Sequence, residues 1–365
     1  MSNLAYAEQT SEQVSEKQIS SASICAVLTQ LDIQDIVETI DRKYYSDKKW
    51  HYRFSVEAML KLLVVMHFRK YSYEKTIFSL TESEIRDLGF IDSWDKEILP
   101  SPSTLHHFVK YRLGVTGIKE VMKMIGKKFS GLLKPGIATT DSTPMEASRY
   151  DTHAKFNPHY NMKMYKAHIT MIGEFPLYMT FTDGDAHDSP ELSDHIMTIK
   201  KMEPRLHEYC LDSGYDSFEN HADIWYHLSV IPHIKVKENA VVNKEGSLKR
   251  IDHWVNKMWK IGGDIHASLD EKLRFLYEHD RAEQVGMYCR NLSIINQNFG
   301  IIYRKRSKCE SIHAHIKDNL TFNVRGIQFR SKELYALVNF ISYQLLLLTN
   351  IQNKVKPVNA FRFYF

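Results

Sequence analysis

The sequence predicts an α/β protein: a mixed five-stranded sheet flanked by helices and preceded by an all-helical N-terminal domain. Three observations predict it. From Gly136 onward, short β-like runs alternate with helical stretches in the order three strands, helix, strand, helix, strand. Residues 25 to about 133 carry helical apolar spacing instead, and a long apolar segment, LYALVNFISYQLLLLTNI, spans Leu334 to Ile351. At 365 residues, 43% hydrophobic and 25% charged, the chain has ordinary globular composition and exceeds the usual size of one compact domain. The expected organisation is a flexible leader at 1–24, a helical N-terminal domain at 25–133, an α/β domain at 134–355 with a candidate insertion at 238–300, and a tail at 356–365.

The leader, MSNLAYAEQTSEQVSEKQ, has neither the basic start nor the apolar run of a secretory signal. In the helical part, EAMLKLLVVMHFRK has apolar residues at helical spacing, and Ser-Pro-Ser-Thr at 101–104 marks a helix start. The next helix, LHHFVKYRL, concentrates His106, Lys110 and Arg112 as a DNA-contacting helix would. Its Leu105, Phe108, Val109 and Leu113 equally suit packing into a bundle.

The strands are GIATTDSTP, YKAHITMIG, PLYMTFTDG, EYCLDSG and SVIPHIKVK, and Gly173-Glu174 joins the second and third as a hairpin. DSPELSDHIMTIKKM and SFENHADIWYHL are the helices between the later strands. Residues 238–300 are less regular, with Gly262-Gly263 and mixed polar content. Trp254 and Trp259 lie there; an aromatic ring could hold a flipped base, and a core position suits either equally. Asn339, Ser342, Gln344 and Asn350 interrupt the apolar C-terminal segment, leaving it short of the roughly 20 residues that span a bilayer. A buried core helix is expected, with no membrane partner.

Net charge is +4, from 48 Lys and Arg against 44 Asp and Glu, so any polyanion site must come from local clusters. Tyr303-Arg304-Lys305-Arg306 with Lys308 is one such cluster, and Lys123 with Lys127 and Lys128 is another. Cys25, Cys210, Cys289 and Cys309 are scattered, which fits a reducing cytosol and neither a zinc site nor a disulfide framework.

Asp141, in IATTDSTPME, is placed at a strand's exit into a Thr-Pro turn, and Asp212, in YCLDSGYDS, at a strand end just before Gly214. Two carboxylates on neighbouring strand ends could share a hard cation, although an Asp after a strand also serves as a turn residue or cap. Glu310 lies in the helical SKCESIHAHIKDNL, with His313, Ala314 and Lys317 on its own face and Arg306 four residues before it. That stripe reads either as an exposed ion-pair helix or as a carboxylate flanked by cations that grip phosphates. Lys166 and His168 follow Asp141 on the next strand, where alternation does not decide which face meets DNA. His187-Asp188 precedes a helix, for which Asp188 or Ser189 is the expected cap.

Three motifs carry a resemblance. They are TTDSTPME with TDGDAHDSPEL, LDSGYDS, and Tyr303, two residues, Arg306, three residues, Glu310, six residues, Lys317. The last matches the Tyr-Arg-Glu-Lys signature of insertion sequence family four, and the motifs keep the family's order over about half of the chain. The chain resembles bacterial or archaeal insertion-sequence transposases of the DDE superfamily, which have an RNase H-like core. The resemblance implies Asp141, Asp212 and Glu310 as catalytic triad and metal ligands for two Mg²⁺ ions, Mn²⁺ substituting. It implies Tyr303, Arg306 and Lys317 as DNA-handling residues, to which the charge cluster adds Arg304 and Lys305, and the strand after Asp141 adds Lys166. The implied partners are double-stranded DNA, as transposon terminal inverted repeats and target, and a second copy of the chain in a synaptic homodimer. The implied setting is the prokaryotic cytosol or nucleoid. A domesticated RNase H-like nuclease or recombinase, and a catalytically silent DNA-binding regulator, are the alternatives.

Overall fold

The computed structural model describes residues 16–18, 24–44, 54–237, 239–259, 266–320, 328–353 and 362–364. Most of the expected leader and tail, and the Gly262-Gly263 step, lie outside the described residues. Within the leader, β1 (Glu16–Gln18) pairs antiparallel with residues 362–364 of the tail. Backbone pairing of this kind needs no apolar pattern, so composition does not announce it.

Seven helices follow: α1 (Ile24–Leu28), α2 (Gln34–Tyr44), α3 (Val56–Phe68), α4 (Tyr73–Phe78), α5 (Glu82–Asp87), α6 (Pro102–His107) and α7 (Gly114–Leu132). Side-chain caps set four of the starts: Ser55, Ser72, Thr81 and Ser101 each accept a hydrogen bond from the backbone N–H three residues on. The helix expected through LHHFVKYRL is broken, because α6 stops at His107 and Phe108–Leu113 forms a π-helical turn. Leu105, Phe108, Val109 and Leu113 are all buried, so this segment packs as part of the bundle.

The sheet contains β2 (Gly136–Glu146), β3 (Lys155–Asn157), β4 (Met162–Ile172), β5 (Phe175–Asp183), β6 (Leu206–Leu211) and β7 (Ile231–Ile234). Its order is β5-β4-β2-β6-β7. β2 is antiparallel to β4 and parallel to β6, β4 and β5 are antiparallel, and β6 and β7 are parallel. The sheet is therefore five strands wide, as expected of an RNase H-like core. The sixth strand, β3, lies beside the first residues of β4 on the edge that β5 covers further along. Gly173, with φ at +61°, and Glu174 form the two-residue hairpin between β4 and β5. α8 (Leu192–Met202) returns the chain to β6, and α9 (Phe218–Leu228) to β7.

The described part of 238–300 is helical: α10 (Lys244–Trp259), α11 (Leu269–Glu278) and α12 (Ala282–Ile295). With Ala222 of α9 they bury a small core of their own, around Ile251, Val255, Leu273, Leu276 and Val285. α12 meets α9 at Gly286, where a Cβ would lie 1.7 Å from the Phe218 carbonyl oxygen, so no larger residue fits. α13 (Phe299–Arg304) and α14 (Ser307–Asn319) lead back toward the sheet. α15 (Phe329–Gln352) is buried almost throughout, 89% of its most apolar window lying inside the protein, which is the core helix expected for Leu334–Ile351. The main apolar core is continuous from α1–α3 through α7 and the sheet to α15. β8 (Arg362–Tyr364) completes the pairing with β1. All four cysteines are buried and unpaired.

Candidate active site

Asp141 lies in the middle of β2, not at its exit. β2 continues to Glu146 because β4 pairs with it all the way, Glu146 opposite Met164. On the other edge, parallel pairing stops at Thr140 opposite Leu211, so Pro144 falls where β2 has become an edge, a position that tolerates a missing donor. Asp141 and Asp212 are thus each one residue beyond the last paired residues of neighbouring parallel strands. This departure of β6 leaves a notch, and both carboxylates stand at it. Asp212 initiates a 3₁₀ turn, accepting from Gly214 N at 2.7 Å and from Ser213 Oγ at 3.2 Å.

Glu310 reaches the same notch from the first turn of α14. Arg306 links the elements: its Nη1 donates to Asp141 Oδ2 and its Nη2 to Glu310 Oε1, both at 2.8 Å. The guanidinium also lies 5.7 Å from the centre of the Tyr303 ring, which stacks on Phe299. Burial, with Asp212 and Glu310 adding to it against Arg306, pushes the Asp141 carboxyl up to about 6. Burial raises the Tyr303 phenol too, and Asp212 and Asp141 are among its neighbouring charges. Lys317, half-buried, has its ammonium lowered by burial. Behind Glu310, His313 is pushed down to about 3 by burial and by Lys317 and Arg306, so its ring is neutral.

These groups open on one cleft of about 570 Å³, whose wall includes Asp141, Asp212, Glu310, Arg306, Lys317 and Lys166. Among the described residues, no three carboxylate, imidazole or thiol groups stand close enough together to hold a metal ion, and Arg306 lies between Asp141 and Glu310. A larger cavity of about 730 Å³, near Phe218 and Arg290, offers no comparable acid set. Its one carboxylate, Asp216, faces His221 at 3.2 Å and Arg290 at 3.6 Å.

A profile of the Transposase DDE domain matches residues 133–345. The chain belongs to this family and is a DNA transposase. Similar solved structures include the piggyBac transposase synaptic complex with hairpin DNA, at 10% identity over 89% of this chain and 80% of that one, TM-score 0.29. The Drosophila P element transposase strand transfer complex matches at 9% identity over 88% and 87%, TM-score 0.25. The Mos1 transposase paired-end complex with left transposon end matches at 12% over 79% and 93%, TM-score 0.20. No curated protein matches the sequence.

Other candidates on this transposase lie elsewhere. His106 and Lys110 line an aromatic cavity near Tyr73 and Tyr335, and Arg112 donates to the Tyr44 carbonyl at 2.9 Å. Arg304 donates to its own helix at Gly300 O, and Lys305 borders a separate groove at the opposite end of β2, beside Gly136. Trp259 stacks on Phe275, and Trp254 has Arg281 over its ring at 3.9 Å; both pack against the insertion's own core. Sequence reasoning placed His313 on the face of Glu310 but missed Ser142, Asp188, Asn157 and Tyr160 as cleft residues. For Asp188 the signal was present in the quoted DGDAHDSPEL, where it was read as a cap.

Proposed function

We propose that this transposase cleaves DNA at the ends of its element and joins them to a target, with Asp141, Asp212 and Glu310 holding two Mg²⁺ ions, Mn²⁺ substituting. The observation that carries the reading is the shared notch. Two carboxylates follow the last paired residues of neighbouring strands, and a third is tied to the first through one guanidinium. The donor set fits a hard divalent ion, since it is all carboxylate oxygen, and like charges crowd it enough to help raise the buried Asp141. When bound, the ions supply an activated attacking oxygen and charge for the departing 3′ oxygen.

The residues of the chain do the rest. Arg306 presents a planar fork that suits carboxylate and phosphate alike, so an incoming strand competes with Asp141 and Glu310 for it. Lys317 flanks Glu310 about two turns further along α14 and offers a point charge to the backbone. Tyr303 braces Arg306 through its ring. Neutral His313, one turn beyond Glu310 on α14, is a buried, uncharged part of the cleft wall. His106, Lys110 and Arg112 lie on the N-terminal helices and serve end binding, Arg304 and Lys305 flank the strand, and Trp254 and Trp259 are the aromatic rings available to an extruded base. Synapsis of two ends calls for a homodimer, acting on DNA in the prokaryotic cytosol or nucleoid.

The test uses Asp141→Asn, Asp212→Asn and Glu310→Gln. Each is expected to bind the duplex that flanks the gene and to lose Mg²⁺-dependent nicking of it. Continued cutting by any one of these variants in folded form assigns the chemistry to other residues.

A further inference from the structure

Asp188 stands where a cap is expected and does not cap. It precedes the 3₁₀ turn Ser189–Glu191 that leads into α8, yet its side chain accepts nothing from the turn's backbone. It turns into the cleft instead. There Ser142 Oγ donates to Oδ2 at 3.0 Å and Lys166 Nζ donates to Oδ1 at 2.9 Å. Lys166 is held a second time, donating to the Ala186 carbonyl at 2.7 Å. Behind the pair, the buried His168 ring lies 3.9 Å from Asp188 Oδ1 through Nδ1 and contacts the Thr182 hydroxyl at 2.9 Å through Nε2. On the other side is Gly214, where a Cβ would be 3.4 Å from Asp188 Oδ2 and 3.7 Å from Asp212 Oδ1.

Asp188 therefore sits between the strand that carries Asp141, which it meets through Ser142, and the turn that carries Asp212. A carboxylate only 20% exposed is unfavourable without partners, whereas a cap at the same position would need none of this arrangement. The consequence falls on Lys166. An ammonium on a flexible stem seeks the closest anion, and apart from Asp188 the carboxylates lining the cleft are Asp141, Asp212 and Glu310. With Asp188 and Ala186 as partners, Lys166 is kept off the groups proposed to bind metal and is fixed beside them.

We propose that Asp188 is a positioning residue for strand cleavage. It aims the Lys166 ammonium at a DNA phosphate next to the one being cut. This rests on the reading of the cleft given above.

The test is a double-variant cycle in the full chain, reading single-turnover nicking of the gene-flanking duplex in Mg²⁺ and, separately, its binding by anisotropy. Asp188→Ala is expected to slow nicking about 100-fold, the scale of a misplaced catalytic group, with affinity close to wild type. Lys166→Met should lose a similar factor, and the double variant should be no slower than Lys166→Met alone, because Asp188 acts through Lys166. Asp188→Asn, which keeps an acceptor for the ammonium, should recover most of the rate. Wild-type nicking by Asp188→Ala, or losses that multiply in the double variant, overturn the inference. If Asp188→Ala melts early, the cycle is run with Asp188→Asn, whose smaller loss must vanish in the Lys166→Met background; a loss that persists there overturns it equally. Asp212→Asn is measured alongside. Nicking by Asp212→Asn defeats the reading of the cleft, whereas an inactive Asp212→Asn beside a wild-type Asp188→Ala defeats only the role of Asp188.

Discussion

Replacing Asp141 by Asn should stabilise the folded protein at neutral pH, although Asp141 forms an ion pair with Arg306. Burial is the largest influence on this carboxyl, and Asp212 and Glu310 reinforce it, so the pair with Arg306 does not prevent a rise from 3.8 to about 6. The sign follows directly. A carboxyl whose folded value lies above its unfolded value contributes stability that is fully present below about pH 3.8 and lost as pH rises through about 6. A shift of this size corresponds to about 3 kcal/mol, and with the side chain 14% exposed little of it is screened by water. Asn keeps the shape and an oxygen for the Ser142 N–H, which now bonds Asp141 Oδ1 at 3.1 Å. Arg306 retains Glu310. In EDTA, thermal melts from pH 4 to pH 8 should find Asp141→Asn level with wild type at the acid end. By pH 7.5 it should be ahead by about 1–3 kcal/mol, or several degrees of Tm. Added Mg²⁺ should then raise the wild-type Tm more than that of the variant. A variant less stable than wild type at pH 7.5, or a difference independent of pH, would refute the account of this carboxyl as a buried charge held under strain by its neighbours.

Gly286→Ala should lower the urea midpoint, because its Cβ would collide with the Phe218 carbonyl and backbone must shift, at about 1–3 kcal/mol or more; an unchanged midpoint rejects the close approach of α12 to α9. Lys332→Met should cost about 3–5 kcal/mol, since it leaves Asp151 half-enclosed without the ammonium that it shares with Tyr165. Despite burial, Lys332 and the backbone N–H groups of His153 and Ala154 hold the Asp151 carboxyl below 3.8. The pair's contribution is therefore present above about pH 3.8 and lost on acidification, and melts of the variant and wild type should converge in acid. Arg306→Ala should reduce the slope of log Kd against log salt for the end duplex by about 1; an unaltered slope makes Arg306 an internal ion pair only.

Every strand of the main sheet except β3 was legible, because β-branched and aromatic runs between Gly, Pro and Asp carry their own boundaries. β3 has three residues and no pattern of its own; it exists because β4 overruns β5 and leaves an edge to cover. α10 and α11 were obscured by burying few residues each, such as Ile251 and Val255 on α10, so their apolar spacing is diluted by polar faces, and the buried face of α12 includes the polar Asn291 and Ser293. The π-helical turn at Phe108–Leu113 follows helical periodicity closely and cannot be told from it by spacing. In the cleft, the spacing from Tyr303 to Lys317 was readable because it lies within one short stretch of sequence, although it crosses the break between α13 and α14. Asp141 was placed at the exit of its strand and lies in the middle, since the length of β2 is set by its partner β4. Asp188 was misread because a side chain that caps and one that turns away share the same sequence context; only the arrival of Lys166 and Ser142 from other strands distinguishes them.

The charge balance of the cleft ties these threads together. Histidines aside, its wall carries Asp141, Asp188, Asp212 and Glu310 against Lys166, Arg306 and Lys317, a formal excess of one negative charge. Each phosphate that enters adds another. Two of the cations are already committed, Lys166 to Asp188 and Arg306 to Asp141 and Glu310. A strand can therefore approach the notch only if Arg306 leaves its carboxylates for phosphate, and that exchange would strand Asp141, already pushed toward neutrality, beside Asp212 and Glu310. Positive charge must be supplied from outside the chain for the exchange to be favourable, and carboxylate oxygens select a hard divalent ion to supply it. If the carboxylates hold the proposed ions, metal and DNA should load cooperatively, with Arg306 passing from Asp141 and Glu310 to phosphate while Lys166 stays with Asp188.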